Sequence, residues 1–422
     1  MIHYQSLARI YRPQTFQDVC GQNAIITTLK NAIALNRVGH AYLFCGPRGV
    51  GKTTLARIFA KALNCHSPTA SHEPCNNCSS CKEITAGQSL DVLEIDGASN
   101  RGIDDIRSLN ETTLYTPSSA AYKIYIIDEV HMLTKEAFNA LLKTLEEPPS
   151  RVKFFFATTE PHKILPTILS RCQRFDLHRL SEKTIYDRLQ HILSSLNIPI
   201  EEEALYSLAS YADGSLRDGV SLLDQALCIE ARPITSAHVS SLLGLASAQV
   251  FFSIDKAFAL QDLSFPFKLV TSLYEEGKDL LHFLEKLTEH YTLILQSLLG
   301  APLPEFHPHK ASYLEACKIY SKENCLYILE YLMNRLDKLA RFSCKKVQVE
   351  LILLHILLSK QRLSLDTLVS SLQKLKQESP PPSPSKLPQE TPPSTEKPDA
   401  SQKHETLLRF AAVELNGNLQ KT

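Results

Sequence analysis

A glycine-rich run near the N-terminus constrains this chain of 422 residues more than any other feature. The run matches the pattern G-x-x-x-x-G-K-T and reads Gly46-Pro47-Arg48-Gly49-Val50-Gly51-Lys52-Thr53. In this pattern the glycines let the backbone turn its N–H groups toward phosphate oxygens. The lysine binds the outer phosphates and the threonine hydroxyl ligates Mg²⁺. The spacing therefore predicts a nucleotide-binding phosphate loop, and we include Thr54 among its binding residues.

The residues on either side of the loop have the order that a phosphate loop requires. Residues 40–45 are a short apolar run, which favours a buried strand. After the loop, apolar residues recur at helical spacing at Leu55, Ile58, Phe59, Ala62 and Leu63. A strand, a loop and a helix in this order bring the phosphate to a helix N-terminus, which attracts anions. We prefer this interpretation to a chance glycine turn beside an exposed lysine.

Length, charge and cysteine content limit what the chain can be. A chain of this length exceeds one ordinary core, so we expect roughly two to four domains. Its 45 acidic and 45 basic residues balance, so contacts with nucleic acid must come from local groups. No apolar run approaches the ~20 residues that cross a bilayer, and residues 1–12 lack the apolar region of a secretory signal. We therefore expect a cytoplasmic protein whose 11 cysteines stay reduced.

Four closely spaced cysteines after the predicted helix indicate a metal site. Their pattern is C-x9-C-x2-C-x2-C, and the residues are Cys65, Cys75, Cys78 and Cys81. Four thiolates in a reducing compartment match a closed, tetrahedral Zn²⁺ site with a structural role. The alternative is four unrelated cysteines. We expect the nearby His66 and His72 to be solvated, because four cysteines complete the shell.

An acidic pair follows a second buried run. Residues 123–127 are largely β-branched or apolar, which suits a strand of a parallel sheet, and Asp128 and Glu129 come directly after them. Beside a phosphate loop, Asp128 can hold Mg²⁺ through water, and Glu129 can activate a water molecule as general base. The alternative is a solvated acidic loop. We interpret His131 as a structural, hydrogen-bonding residue.

Three further polar residues each attract a functional interpretation. Thr159 follows a predicted strand at residues 152–157, where it either contacts the γ-phosphate or is an ordinary strand-end residue. Arg171 is either solvated or an arginine finger for a nucleotide held by a neighbouring subunit. Arg217 lies in the first turn of a predicted helix, where its charge does not complement the helix dipole, so an anionic partner is favoured.

Aromatic and basic residues elsewhere leave two alternatives open. Tyr11 and Phe16 either pack in a core or cover the base of a nucleotide. Arg101 and Arg107 follow a predicted strand at residues 91–96 and are either solvated or in contact with nucleic-acid phosphates.

The second half of the chain contains no motif with chemical meaning. Residues 181–243 and 246–377 have apolar residues at helical spacing, which predicts one helix after another. Residues 376–402 are rich in proline and polar residues, which indicates a disordered, semi-extended linker. The apolar tip at residues 406–413 is either a partner-binding element or a frayed tail.

Taken together, these motifs resemble the clamp-loader ATPases of the AAA+ superfamily, and most closely the gamma/tau subunit family of bacterial DNA polymerase III. Besides the four-cysteine insert, the likeness rests on residues 11–16, 128–133 and 140–149. It is strong over residues 4–242 and weak to about residue 360. It implies an α/β P-loop AAA+ domain, with a parallel sheet flanked by helices and a zinc-binding insert. A helical lid and an all-α oligomerisation domain follow.

The resemblance also implies roles for the residues of the phosphate site. Lys52 and Thr53 would bind the phosphates of ATP and the Mg²⁺ ion. Asp128 would be the metal-binding carboxylate and Glu129 the catalytic base. Thr159 matches the sensor-1 position of the family.

Residues farther from the loop receive roles in the same way. Arg217 matches sensor 2 in the lid, and Arg171 matches the finger that acts in trans. The residues implied to lie near the adenine are Tyr11, Arg12 and Pro13.

The implied function is that of an ATP-hydrolysing motor. It would open the sliding clamp and release it on primed DNA, within a five-subunit ring of clamp-loader subunits. Arg101 and Arg107 lie in the segment that tracks the DNA backbone in this family. The chain is short for the tau form, which leaves tethering of the polymerase or helicase open. Two alternatives are a non-hydrolysing scaffold subunit of the same assembly and another AAA+ remodeller or helicase.

The same reasoning divides the chain into five regions. We expect an ATPase domain with its four-cysteine insert at 65–81, a helical lid, a helical collar for oligomerisation, a proline-rich linker and a short tail. Their predicted boundaries are 1–178, 179–243, 244–375, 376–402 and 403–422.

Overall fold

A computed structural model describes residues 5–229, 232–302, 309–339 and 344–361 of the protein. The predicted linker at 376–402, the tail and residues 362–375 of the predicted collar lie outside these ranges. The strands are β1 (Ala41–Cys45), β2 (Val92–Asp96), β3 (Lys123–Asp128), β4 (Val152–Thr158) and β5 (Gln173–Asp176). Every strand expected from the sequence is present, with ends that differ by at most one or two residues.

The described ranges contain seventeen α-helices. Those of the first part are α1 (Leu7–Ile10), α2 (Asn23–Ala34), α3 (Lys52–Leu63), α4 (Ser79–Ala86), α5 (Ile103–Thr113), α6 (Lys135–Glu146) and α7 (Pro166–Leu169). The next four are α8 (Glu182–Leu196), α9 (Glu202–Tyr211), α10 (Leu216–Leu227) and α11 (Ser236–Leu242). The last six are α12 (Ala248–Leu260), α13 (Phe265–Glu275), α14 (Leu280–Leu298), α15 (Lys310–Ala316), α16 (Lys322–Leu339) and α17 (Lys345–Leu358).

The five strands form one parallel sheet in the order β2-β3-β4-β1-β5. All residues of β1 and β4 are buried, which explains why their sequences are continuous apolar runs without alternation. Strand β4 lies between β1, which leads into the phosphate loop, and β3, which ends at Asp128. The order therefore brings the carboxyl ends of these three strands together at one edge of the sheet.

Helices cover both faces of the sheet, and three consecutive phenylalanines in β4 serve both. Phe154 and Phe156 face α5 and α6, where Phe154 stacks on Tyr125 with 5.4 Å between ring centroids. Phe155 points to the opposite face and stacks on Phe59 of α3 at 5.0 Å. Successive side chains of a strand alternate between faces, so this run anchors both layers. The predicted α/β fold is confirmed.

Helices α8 to α11 pack around a separate core, which α1 completes. Leu7 of α1 is buried in that core with Leu189, Leu208 and Leu223. The Leu7 amide also donates to a carboxylate oxygen of Asp224 at 3.1 Å. The start of the chain is thus anchored to the core formed by helices α8 to α11.

Helices α12 to α17 form a third core. A buried polar network runs through it: the Nε2 atom of His290 is 3.0 Å from a carboxylate oxygen of Asp255, and the Tyr320 hydroxyl donates to the same carboxylate at 2.8 Å. Such a network satisfies polar groups that would otherwise be costly to bury. None of the helices in the described ranges is both long and apolar enough to cross a membrane.

Candidate nucleotide site and cysteine cluster

A cleft of about 950 Å³ opens at the carboxyl ends of the central strands. Its walls include the N-terminal segment, the phosphate loop with the start of α3, the end of β3 and the first turn of α10. The residues predicted to bind nucleotide that line it are Tyr11, Arg12, Pro13, Arg48, Gly49, Val50, Gly51, Lys52, Thr53, Thr54, Asp128, Glu129 and Arg217. Gly46 and Pro47, which begin the predicted loop, are not among the residues that line the cleft.

The phosphate loop depends on backbone conformations that favour glycine. Gly46, Gly49 and Gly51 all have positive φ, at 146°, 74° and 105°. A Cβ atom at Gly49 would overlap the Ser215 side chain of the lid, and one at Gly46 would meet the backbone oxygen of Leu177. The sequence pattern therefore reflects both the turn and the close packing around it.

Lys52 begins helix α3 and is almost fully buried. Its ammonium donates to the carbonyl oxygens of Gly46 at 3.0 Å and Pro47 at 2.8 Å. Burial lowers the pKa of Lys52, while the charges of Glu129 and Asp128 act in the opposite direction. The loop thus holds a positive group at the N-terminus of a helix, and both the ammonium and the helix terminus attract an anion.

Two oxygen ligands meet beside the loop. The Thr53 hydroxyl donates to a carboxylate oxygen of Asp128 at 2.7 Å, although the two residues are 75 positions apart. A hydroxyl and a carboxylate are suitable oxygen ligands for Mg²⁺ next to phosphates. The arrangement therefore fits a magnesium ion held by these residues and by a nucleotide.

Glu129 is held in an unusual backbone conformation that directs its carboxylate across the end of β4. Its φ is 45°, in the left-handed region. One carboxylate oxygen accepts hydrogen bonds from the Thr159 amide at 3.3 Å and the Thr159 hydroxyl at 3.0 Å. A non-glycine residue in this region is uncommon and is often found at functional sites. Thr159 does not itself line the cleft but contacts the carboxylate that does.

His131 has the hydrogen-bonding role expected from the sequence. Its side chain is only 7% exposed. Its Nδ1 atom is 3.0 Å from the Thr158 hydroxyl, and its Nε2 atom is 3.2 Å from a carboxylate oxygen of Glu160. The Nδ1 atom is also 3.4 Å from Glu129. The ring thus connects the segments that follow β3 and β4.

The lid contacts the phosphate loop directly. The amide of Arg217 donates to the Gly49 carbonyl at 3.3 Å, and Ser215 caps the N-terminus of α10. The prediction that Arg217 lies in the first turn of a helix is confirmed. The residue also lines the cleft, so the structure brings Arg217 to the predicted nucleotide site.

The N-terminal segment forms another wall of the cleft. The Nε atom of Arg12 donates to the Thr54 hydroxyl at 3.0 Å. Burial lowers the pKa of Arg12, and the charge of Arg57 acts in the same direction. Tyr11 lines the cleft and hydrogen-bonds Ser195 through its hydroxyl at 2.7 Å. Phe16, by contrast, is buried in the core of the sheet domain, so packing is its role.

The four predicted metal ligands come together. The Sγ atoms of Cys65, Cys75, Cys78 and Cys81 all lie within 4.8 Å of one another. Tetrahedral zinc with Zn–S bonds of about 2.3 Å requires sulfurs roughly 3.8 Å apart, so the cluster fits a zinc ion with little adjustment.

Backbone N–H groups around the cluster point at the sulfurs. The Cys75 amide donates to the Cys65 sulfur at 3.3 Å, and the Cys78 amide donates to the Cys75 sulfur at 3.3 Å. Backbone donors from Asn77 and Cys78 lower the pKa of the Cys75 thiol to about 6. His66 is exposed and His72 half-buried, and neither belongs to the cluster. The structure is thus compatible with a four-cysteine zinc site.

Comparison with known proteins gives the family. The family profiles described as "DNA polymerase III, delta subunit" and "DNA polymerase III clamp loader subunit, ATPase lid domain" match residues 21–181 and 184–230. The DNA polymerase III subunit gamma of Buchnera aphidicola (subsp. Acyrthosiphon pisum) is 36% identical over 365 residues, covering 84% of this chain and 99% of that protein. The chain belongs to the gamma/tau subunit family of DNA polymerase III.

Other gamma/tau relatives are more similar but longer. The tau subunit of Bacillus subtilis is 48% identical over 277 residues, which are 65% of this chain and 49% of that protein. The tau subunit of Escherichia coli is 50% identical over 241 residues, covering 57% and 37%. The chain thus spans about half the length of these tau relatives, or less. The solved Thermotoga maritima RuvB branch migration motor has a TM-score of 0.42 at 20% identity, covering 58% of this chain and 78% of that one.

Three arginines considered for this gamma/tau chain lie outside the cleft. Arg171 donates to a carboxylate oxygen of Glu146 at 2.6 Å and to the Thr167 carbonyl at 2.8 Å. Arg107 forms an exposed pair with Asp104 at 3.2 Å, which contributes little to stability. Arg101 is exposed. All three remain accessible to a second molecule, and their roles stay predictions.

The cleft of this gamma/tau chain also contains residues that the sequence motifs do not indicate, among them Arg57 and Arg188. Arg57 lines the cleft one turn after Thr53 and pairs with Glu94 at 2.5 Å. Its position one helical turn after the loop was a usable signal. Arg188 of α8 reaches the carbonyl of Tyr11 at 3.5 Å. Nothing in its local sequence indicated the cleft, because the packing of the lid places it there.

We expect about one zinc ion per chain by elemental analysis of the purified gamma/tau protein. Cys78→Ser should lower the zinc content, because three cysteines leave the tetrahedral shell open. Cys228→Ser is the matched control, since Cys228 is solvent-accessible and outside the cluster, and it should leave the zinc content unchanged. A folded protein free of metal would contradict the site.

Proposed function

We propose that this chain is the ATP-binding and ATP-hydrolysing motor subunit of a DNA polymerase III clamp loader. In this proposal it opens the sliding clamp and loads it on primed DNA during replication. The observation that carries the proposal is the convergence of Lys52, Thr53, Asp128 and Glu129 on one cleft under a lid. A site built only to bind nucleotide has no need of a carboxylate placed as Glu129 is.

The phosphate side of the site divides into binding and activating groups. Lys52 would exchange its two backbone acceptors for phosphate oxygens, because a charged acceptor forms the stronger hydrogen bond. Thr53 and Asp128 would hold Mg²⁺, which neutralises charge that develops on the phosphates. Glu129 would take the proton of the attacking water, and Thr159 would hold the Glu129 carboxylate in place.

The lid would report the state of the nucleotide. The Arg217 amide bonds the phosphate loop at Gly49, and its side chain lines the cleft. A γ-phosphate between the loop and this guanidinium would hold the lid closed, and hydrolysis would release it. Tyr11, Arg12 and Pro13 would bind the base side.

Arg171 is proposed to complete the site of a neighbouring subunit. Arg171→Ala should leave ATP binding by its own subunit intact but lower turnover of the assembled loader by about a thousandfold, the usual effect of losing an arginine finger. The matched control is Arg174→Ala in the same segment, because Arg174 is engaged with Asp176 at 2.8 Å. Equal ATPase rates for isolated chains and for the assembly would contradict a role in trans.

The remaining assignments follow from the same proposal. Residues 1–178 would be the motor domain, 179–243 the lid and 244–375 the collar of a five-subunit ring. The sliding clamp, the other clamp-loader subunits and primer-template DNA would be the partners, with Arg101 and Arg107 as exposed candidates for backbone phosphates. The four-cysteine cluster would hold structural Zn²⁺. We place the protein in the cytoplasm with the bacterial chromosome.

Two rival functions make different predictions. A non-hydrolysing scaffold of the same assembly would not need the pairing of Glu129 with Thr159 that supports the base. A hexameric helicase would close into six equal subunits, which native mass spectrometry distinguishes from a mixed five-subunit ring.

The proposal is tested by measuring clamp loading on DNA directly. We would reconstitute the chain with the other subunits of its loader, add labelled clamp, ATP and a circular primed DNA, and separate the DNA by gel filtration. The clamp should remain with circular DNA and be lost when the DNA is linearised, because it is held topologically. Transfer that proceeds equally well without ATP would contradict the motor function.

A further inference from the structure

A buried lysine at the end of α3, four residues before the first cysteine of the cluster, contacts the N-terminal segment. Lys61 sits in the last turn of α3 and is 2% exposed. Its ammonium donates to the side-chain oxygen of Gln14 at 2.9 Å and to the Gln14 carbonyl at 3.3 Å. Burial lowers the pKa of Lys61, and negative charge on Cys81 acts against that effect. A buried ammonium is thus directed at one residue of the N-terminal segment.

The cysteine insert holds the same segment at a second point. Glu73, which lies between Cys65 and Cys75, is 5% exposed. One of its carboxylate oxygens accepts the Phe16 amide at 2.7 Å, and the other pairs with Lys30 at 2.6 Å. Charge-assisted hydrogen bonds in buried surroundings are among the stronger ones. Glu73 of the insert thus holds residue 16, and Lys61, at the end of the helix that leads into the insert, holds residue 14.

The segment leads from these anchors into the nucleotide cleft. The Gln14 side-chain amide donates to the Arg12 carbonyl at 3.0 Å. Arg12 in turn donates to the Thr54 hydroxyl at 3.0 Å, directly after the phosphate loop. A continuous set of hydrogen bonds thus runs from Lys61 through Gln14 and Arg12 to Thr54. The cysteine cluster joins this set through Thr85, whose hydroxyl lies 2.8 Å from the Cys81 carbonyl oxygen and 3.4 Å from the Gln14 side-chain oxygen.

We propose that Lys61 and Glu73 are positioning residues through which the cysteine insert fixes the base-binding side of the nucleotide cleft. The insert then has a second role besides folding: it sets the affinity for the base and ribose, and it leaves the phosphate cradle unaffected. This inference rests on the proposed function, because it assumes that residues 11–13 contact the adenine side of ATP.

The test compares ATP with inorganic tripolyphosphate, which lacks the base and ribose. Lys61→Met removes the ammonium and keeps the length of the side chain. Calorimetric titration of the full chain should show ATP binding about tenfold weaker, the loss expected for one charge-assisted hydrogen bond, with tripolyphosphate binding unchanged. Hydrogen exchange of the Phe16 amide should also become faster, which reports the segment without any nucleotide.

Matched variants separate positioning from general damage. Lys123→Met removes another buried lysine, which donates to the Thr112 carbonyl at 2.8 Å, and should change neither titration. Gln14→Leu interrupts the hydrogen bonds that run from Lys61 to Arg12 without changing a metal ligand, so it should weaken ATP binding while zinc content is retained. This variant provides the test if Lys61→Met does not fold. Adding Lys61→Met to Gln14→Leu should cause no further loss.

Two results would overturn the inference. One is an equal loss of ATP and tripolyphosphate affinity in the variants. The other is unchanged ATP affinity in Gln14→Leu. Failure of the proposed nucleotide site is distinct from both, because the unmodified chain would then bind neither ATP nor tripolyphosphate.

Discussion

Lys52→Ala should reduce ATP binding by at least about a hundredfold and hydrolysis to background. The ammonium is held inside the phosphate loop, and replacing it removes the charge-assisted hydrogen bonds that it would donate to the phosphates, worth roughly 1.5–3 kcal/mol each. Alanine also leaves the Gly46 and Pro47 carbonyls facing the phosphates without a cation between them. Titration with ATP and a phosphate-release assay measure the two effects separately.

The control for Lys52→Ala is Lys135→Ala, at an exposed position that begins α6. It should bind and hydrolyse ATP like the unmodified protein, because it lies outside the cleft. ATPase activity of Lys52→Ala equal to that of the control would remove the basis for an ATP-driven motor.

Glu129→Gln should bind ATP normally and hydrolyse it about 10²- to 10⁴-fold more slowly, the usual contribution of a general base. Glutamine has the same shape and keeps an oxygen that can accept the Thr159 amide and hydroxyl. It cannot take a proton from water at neutral pH. The variant should therefore keep its hydrogen bonds to Thr159 but lose the general base. The rate of single-turnover ATP hydrolysis measures this loss directly.

Glu160→Gln is the appropriate comparison for this change. Glu160 is a nearby carboxylate paired with His131 and Lys163, and it does not line the cleft. Its substitution should alter turnover only slightly. If Glu160→Gln slows hydrolysis as much as Glu129→Gln does, the base has been assigned to the wrong carboxylate.

Much of the site was predictable because parallel strands end at one edge of a sheet. The motif around Lys52 and the acidic pair after β3 were each recognisable alone, and this rule alone places them near each other. The hydrogen bond between Thr53 and Asp128 is the result. The cysteine cluster was predictable for a different reason, since the spacing of its ligands is local.

Contacts between layers could not be predicted in the same way. The sequence suggested an anion near Arg217 but gave no position for α10 relative to the loop, which depends on how the lid packs. Arg188 was missed for the same reason. Lys61 shows a further limit: it occupies an apolar helix face among buried residues, and its partner Gln14 lies 47 positions away. Only the fold reveals that pairing.

The central claim is that ATP hydrolysis by this chain is coupled to a clamp and DNA. The most direct measurement is the steady-state ATPase rate of the assembled loader with neither, either or both of the sliding clamp and primed DNA. The account predicts that clamp and DNA together stimulate the rate well beyond the sum of their separate effects, and that Glu129→Gln abolishes this stimulation. A rate that is the same in all four conditions would contradict the account.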